Sequence, residues 1–221
     1  MKKDIYIILN VLLLCIINNS NAQIQTPLDR SLRFVEQQSK DWGLLPEDIR
    51  DLAVTDMYRS SHNGITHVYL IQRFSGIEIF NAITSVHVSD NGKIFDSPSR
   101  FYGQINSKIN ATKPKISEVK ALTQIVNHLR IHNALVPTHV LRENGKTSFP
   151  ATNFTLSPIP VKLVYMPVKD GSLRLAWDLS LEMSVANDYW SIRVDALTGE
   201  ILDQSNWTVK CSFNHQHNRK H

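Results

Sequence analysis

Two stripes of apolar residues at helical spacing, each followed by short alternating segments broken by turn signals, specify an α+β chain. The expected architecture is two small modules, each an antiparallel sheet packed against one helix. The polar and nearly featureless stretch Gly103 to Lys115 is read as a connector between them.

The first helix starts at Thr26-Pro27-Leu28-Asp29, which supplies a hydroxyl cap, a proline at the first helical position and a carboxylate in the first turn. Leu28, Leu32, Val35 and Trp42 recur on one face, predicting a helix to about Trp42 that stops at Gly43. Strands follow at Val54 to Arg59, Thr66 to Phe74, Ile77 to Phe80, Thr84 to Val88 and Lys93 to Asp96. His62-Asn63-Gly64, Ser75-Gly76 and Asp90-Asn91-Gly92 separate them, giving a small antiparallel meander.

Val119, Leu122, Ile125, Val126 and Leu129 form the second stripe, on a helix from Ile116 to Leu129 that Ser117 can cap. A loop rich in Pro, Ser and Thr runs from Arg130 to Pro160. Val161 to Met166 then pairs across Lys169-Asp170-Gly171 with Leu173 to Val185. In the latter Leu173, Leu175, Trp177, Leu179, Leu181, Met183 and Val185 are expected inward, and Arg174, Asp178, Ser180, Glu182 and Ser184 outward toward water or a hydrophilic partner. After a turn at Asn187-Asp188, Trp190, Ile192, Val194 and Ala196 share one face of the last long strand and Ser191, Arg193 and Asp195 the other, before Thr198-Gly199 turns the chain again.

Lys2 and Lys3 precede an apolar run from Ile5 to Ile17, and Ser20-Asn21-Ala22 places small residues where a signal peptidase reads. The run is shorter than the roughly 20 residues of a spanning helix, and Leu14 before Cys15 does not suit a lipoprotein signal. A mature chain from Gln23, secreted to the exterior or the periplasm and free of the membrane after cleavage, is expected. Removing 22 of 221 residues leaves 199, and loss of Lys2, Lys3 and Asp4 takes the net charge from +4 to +3, too little to suggest a nucleic-acid partner. Cys211 is then the only thiol, so no internal disulfide forms and the core must supply stability.

Two stretches together resemble a known family. Tyr69 to Ile94, "YLIQRFSGIEIFNAITSVHVSDNGKI", resembles the fungalysin/thermolysin propeptide module, in which Phe74, Gly76, Ile77, Asn91 and Gly92 hold the motif positions. Arg174 to Leu202, "RLAWDLSLEMSVANDYWSIRVDALTGEIL", resembles the PepSY module that follows it, with Trp177, Asp195, Thr198 and Gly199 at the corresponding places. The order matches the prepropeptide of fungalysin-like M36 secreted metallopeptidases. The resemblance implies a signal peptide at 1–22, a propeptide-type module at 23–102, a connector at 103–115, a PepSY-like module at 116–210 and a tail at 211–221. The Thr198-Gly199 hairpin is on this reading a family hallmark and not an active site.

Those enzymes carry His-Glu-x-x-His on a helix, two histidines holding zinc and the glutamate activating water. Here His128-Leu129-Arg130-Ile131-His132 has histidines at the spacing of one helix face, with Leu129 where the base belongs. No catalytic residue and no cofactor is therefore expected on this chain, zinc belonging to a catalytic domain that does not follow His221. His62, His67, His87 and His139 lie singly in strands or turns, and Asn110, Asn153 and Asn206 open glycosylation sequons. In the tail, Cys211, His215, His217 and His221 are zinc-type ligands within eleven residues. Three readings stand open there: Cys211 occluding a partner's catalytic zinc, a metal site of the tail's own, or a plain chain end.

The expected function is a non-catalytic pro-region, inhibitor and folding assistant of a secreted zinc metallopeptidase domain reached in cis or in trans. The alternative is a stand-alone secreted PepSY-type protein-binding module without a peptidase partner.

Overall fold

A computed structural model describes residues 25–95, 98–185 and 188–208. The expected signal peptide at 1–22, the tail residues Cys211, His215, His217 and His221, and Asp96 and Asn187 of two expected elements lie outside them.

Helix α1 (Pro27–Gln38) begins as its local chemistry requires. Thr26 Oγ1 accepts from the Asp29 amide at 3.1 Å, and the Asp29 carboxylate accepts from the Thr26 amide at 3.0 Å. It ends at Gln38, so Trp42 lies beyond it, in the turn that closes at Gly43. A 3-10 turn (Pro46–Ile49) leads into β1 (Leu52–Arg59), β2 (Thr66–Phe74), β3 (Ile77–Val88) and β4 (Ile94–Phe95). The two strands expected between Ile77 and Val88 are one, because Asn81 takes a left-handed conformation (φ 58°) and bulges out without breaking the pairing.

The expected connector is not featureless. Helix α2 (Ile105–Lys108) buries Ile105, Ile109 bridges Leu173, and Asn110 Oδ1 accepts from the Leu175 amide at 2.8 Å. Helix α3 (Glu118–His128) follows with Ser117 as its cap. The segment expected as a loop after it holds a hairpin, β5 (Leu141–Glu143) and β6 (Lys146–Phe149), joined by Asn144-Gly145, both at positive φ. β7 (Ile159–Pro167), β8 (Leu173–Glu182), β9 (Tyr189–Asp195) and β10 (Ile201–Asn206) complete the chain.

The strands form one mixed sheet in the order β1-β2-β3-β7-β8-β9-β10. Every neighbour pair in it is antiparallel except β3 with β7, which pair in parallel at Glu78 with Val164 and Ile79 with Tyr165. This short join closes the free edge of each half against the other. The fold is α+β, dominated by sheet. Two apolar clusters lie along it. Val35 of α1 meets Val68, Leu70, Val86 and Val88 in one, and Leu122, Ile125 and Val126 of α3 meet Leu175, Leu179, Ile192 and Val194 in the other. β3 serves both, contributing Val86 and Val88 to the first and Ile79 and Ala82 to the second.

Leu173, Leu175, Trp177, Leu179 and Leu181 point inward as expected, but β8 ends at Glu182, and Val185, expected inward, is 93% exposed beyond it. The opposite face is not the water-facing surface the alternation suggests. Arg193 and Asp195 are 1% and 0% exposed, and Val164 and Ala176 are buried between the polar positions.

Candidate functional site

Helices α1 and α3 lie on the same side of the sheet, leaving the other face without a helix among the described residues. Its two halves differ in chemistry.

On β8 to β10 the face is a buried ionic network. The Arg193 guanidinium lies over the Phe80 ring at 4.4 Å, donates to Ser191 Oγ at 2.6 Å, pairs with Asp203, and stands 3.6 Å from Asp178. In a flat sheet β3 and β9, three strands apart, would be separated by roughly 14 Å. The Phe80 and Arg193 side chains nevertheless meet, reaching toward each other across β7 and β8. Burial pushes the Asp178 carboxyl above its ordinary range, against the opposing pull of Arg193 and Lys162. Beside this network Phe80, Tyr102, Met166, Arg193, Ser205 and Trp207 line a groove of about 440 Å³.

On β1 to β4 the face is aromatic. Cross-strand pairing sets Tyr58, His67, His87 and Phe95 in a row across the four strands. Tyr58 stacks on His67 at 4.9 Å and on Tyr69 at 6.1 Å, and Lys93 reaches over Phe95. Tyr58, Ile83 and Phe95 are exposed, so this half presents apolar surface to whatever it meets. His67 and His87, read singly in the sequence, face each other with Nδ1 atoms 2.8 Å apart.

The motif residues fall into structural places. Phe74 packs edge-on against Tyr165, the Gly76 amide donates to Asp51 Oδ2 at 2.7 Å, and Ile77 adjoins the larger cluster. Asn91 Oδ1 accepts from Ser89 Oγ and the Lys93 amide, and the Gly92 amide closes that turn on Ser89. Trp177 Nε1 donates to the Ile116 carbonyl at 3.0 Å. Asp195 is the hub of its hairpin: Oδ1 accepts from the Leu197 and Thr198 amides at 2.7 and 2.8 Å, and Oδ2 pairs with Arg174 at 2.6 Å. Gly199 has φ 85°, a backbone conformation that side chains with a Cβ rarely adopt, and it lies in van der Waals reach of Gln124 of α3.

His128 closes α3 and bonds Gln204 at 2.7 Å, whereas His132 lies past Arg130, which has φ 54°. The helix ends between them, so the two histidines do not share a helix face. Among the described residues no three His, Cys, Asp or Glu side chains form a group suited to hold a metal, and no helix is long and apolar enough to cross a membrane.

Residues 50–96, which span β1 to β4, match the fungalysin/thermolysin propeptide motif. The extracellular metalloproteinase mep of Aspergillus fumigatus is 31% identical over 171 residues, 76% of this chain and 26% of that protein. The corresponding proteins of Neosartorya fischeri and Aspergillus terreus are 29% and 34% identical, covering 83% and 84% of this chain and 30% and 31% of theirs. The chain thus spans about a quarter to a third of the length of these relatives. Among solved structures, the Bacillus megaterium YpeB C-terminal domain is similar at a TM-score of 0.36 and 13% identity, over 84% of this chain and 67% of that one, a likeness too loose to carry an argument. The chain is a homologue of the fungal M36 extracellular metalloproteinases over most of its length, with a fungalysin/thermolysin propeptide motif in its first half.

Proposed function

We propose that this chain is the non-catalytic pro-region of a secreted zinc metallopeptidase, inhibiting the peptidase domain and assisting its folding, in cis or in trans. The observation that carries the reading is the position of the matched motif: it holds β1 to β4, a sheet backed by a helix on one side and bearing exposed aromatic side chains on the other. A sheet held rigid from behind presents its free face at little cost in conformational entropy, as an inhibitor or a folding template requires. Docking on the Tyr58–Phe95 row needs binding and no chemistry, in keeping with a role without catalytic residues.

The test adds the chain from Gln23 onward to a purified fungalysin-type peptidase domain and follows both peptide hydrolysis and the recovery of activity on refolding. Inhibition at stoichiometric chain, or a higher refolding yield, supports the proposal. Hydrolysis and refolding that are both unchanged overturn it, and the stand-alone binding module then takes its place.

A further inference from the structure

His67 on β2 and His87 on β3 lie at the centre of the aromatic row, and the contact between them is of one specific kind. Two imidazole nitrogens 2.8 Å apart form a hydrogen bond only if one carries a hydrogen and the other a lone pair. A pair carrying one proton more than neutral keeps that bond and makes it charge-assisted. A pair carrying two has N–H facing N–H and like charge facing like charge, so the contact becomes repulsive.

The surroundings limit escape. The Tyr58 ring from β1 stacks on His67, and Phe95 from β4 stands opposite His87, with Lys93 above it. Ser85 on β3 lies opposite Tyr69, and Asp56 of β1 is likewise set against Tyr69 and not against either imidazole. The carboxylates of Asp90 and Asp51 are engaged by Arg59 and Arg73. Burial, and secondarily the neighbouring His67, hold the His87 imidazole below its ordinary value of 6.5.

We propose that the His67–His87 pair is a proton-operated latch: it holds β2 and β3 together across the docking face near neutral pH, and a second proton opens it and weakens the grip on the peptidase domain. This rests on the docking reading above. The sign follows from linkage. The unfolded chain accepts a proton at 6.5 that the folded pair resists, so the latch's stabilisation is present above about 6.5 and is lost as pH falls from there toward the lowered value of His87.

Three measurements on the chain from Gln23 onward test it: an NMR titration of the histidine ring protons, thermal unfolding, and Kd for a fungalysin-type peptidase domain, the last two at about pH 7.5 and about pH 5. His87→Gln and His67→Gln are compared with wild type, since an amide donates or accepts at either pH. Wild type should show His87 titrating below 6.5, a fall in Tm of several degrees on acidification and a loss of affinity of about tenfold or more. Both differences should shrink toward none in His87→Gln and shrink in part in His67→Gln, where burial still opposes a proton on His87. His87 titrating at or above 6.5, or equal pH dependence of Tm in all three proteins, overturns the latch. A working latch with a Kd that does not change with pH overturns its coupling to docking. A chain that binds the peptidase at neither pH refutes the docking reading, and the latch is then judged on the NMR and Tm results.

Discussion

Replacing Asp48 by alanine should loosen the joint between the two halves of the sheet. Its side chain is fully buried, and the carboxylate accepts three backbone bonds: from Leu45 and Gln104 at 2.8 Å and from Ile105 at 2.9 Å. Its own carbonyl takes the Gln72 side-chain amide at 2.9 Å, and Gln72 in turn brackets the Tyr102 backbone. Each bond to an ionised acceptor is worth about 1.5–3 kcal/mol net, but water can replace part of what is lost. Leu45 is 43% exposed and Gln104 is exposed, so their amides find solvent, whereas the Ile105 amide adjoins a side chain 1% exposed and stays dry. One stranded donor, two weakened ones and a small void give a loss of about 2–4 kcal/mol. For a chain of this size that lowers Tm by roughly 5–15 °C. Asp48→Asn keeps the shape but sets an NH₂ group against a backbone N–H, and at least half the loss is expected. The assays are urea and thermal unfolding, with hydrogen exchange at the Ile105 amide as the local readout. Both variants within about 0.5 kcal/mol of wild type, with Ile105 protection unchanged, would refute the reasoning.

Asp178 resists ionisation in the folded chain, so stability is lost as pH rises from 3.8 through its raised value; Asp178→Asn should therefore raise Tm near about pH 7 and leave it unchanged near about pH 3, and a lower Tm at neutral pH would contradict this. Gly103→Ala sets a Cβ 2.7 Å from the Gly43 carbonyl oxygen, a backbone atom that cannot swing away, and should cost about 2–3 kcal/mol by urea unfolding. Gly171→Ala, whose Cβ meets nothing within 4 Å, should cost about 1 kcal/mol for its positive φ alone, and equal losses at the two sites would deny the close approach.

Elements whose cause is local were legible in the sequence. The Thr26–Asp29 box, the Ser75-Gly76 and Thr198-Gly199 turns and the inward alternation from Leu173 to Leu181 each depend on residues within a few positions of one another, and each stands where the pattern set it. The β5–β6 hairpin was legible too. Its Asn144-Gly145 signal stands between strands that are short and polar and carry little alternation, which makes it faint. The propeptide resemblance could likewise be read from the Gly76 and Asn91-Gly92 turns, since turn chemistry is written in adjacent residues.

The site itself was decided by contacts remote in sequence. Nothing near Glu47-Asp48 announces that the carboxylate will cap backbone amides more than fifty residues away. Arg193 reads as an outward, solvated arginine until the strand order brings Phe80, more than a hundred residues earlier, over it. The histidine pair depends on register. Continued from Phe74 opposite Ile77 and Arg73 opposite Glu78, the hairpin would set His67 against Thr84 and leave His87 opposite Gly64. The bulge at Asn81 shifts the pairing so that Ile71 faces Ile83 and His67 faces His87. The residues alone determined that this chain makes helix-backed sheets with the turns of a propeptide. Which side chains those sheets bring together, and so what the free face can do, was settled only by the bulge and the parallel join of β3 to β7, because strand register is set by the packing of the whole sheet.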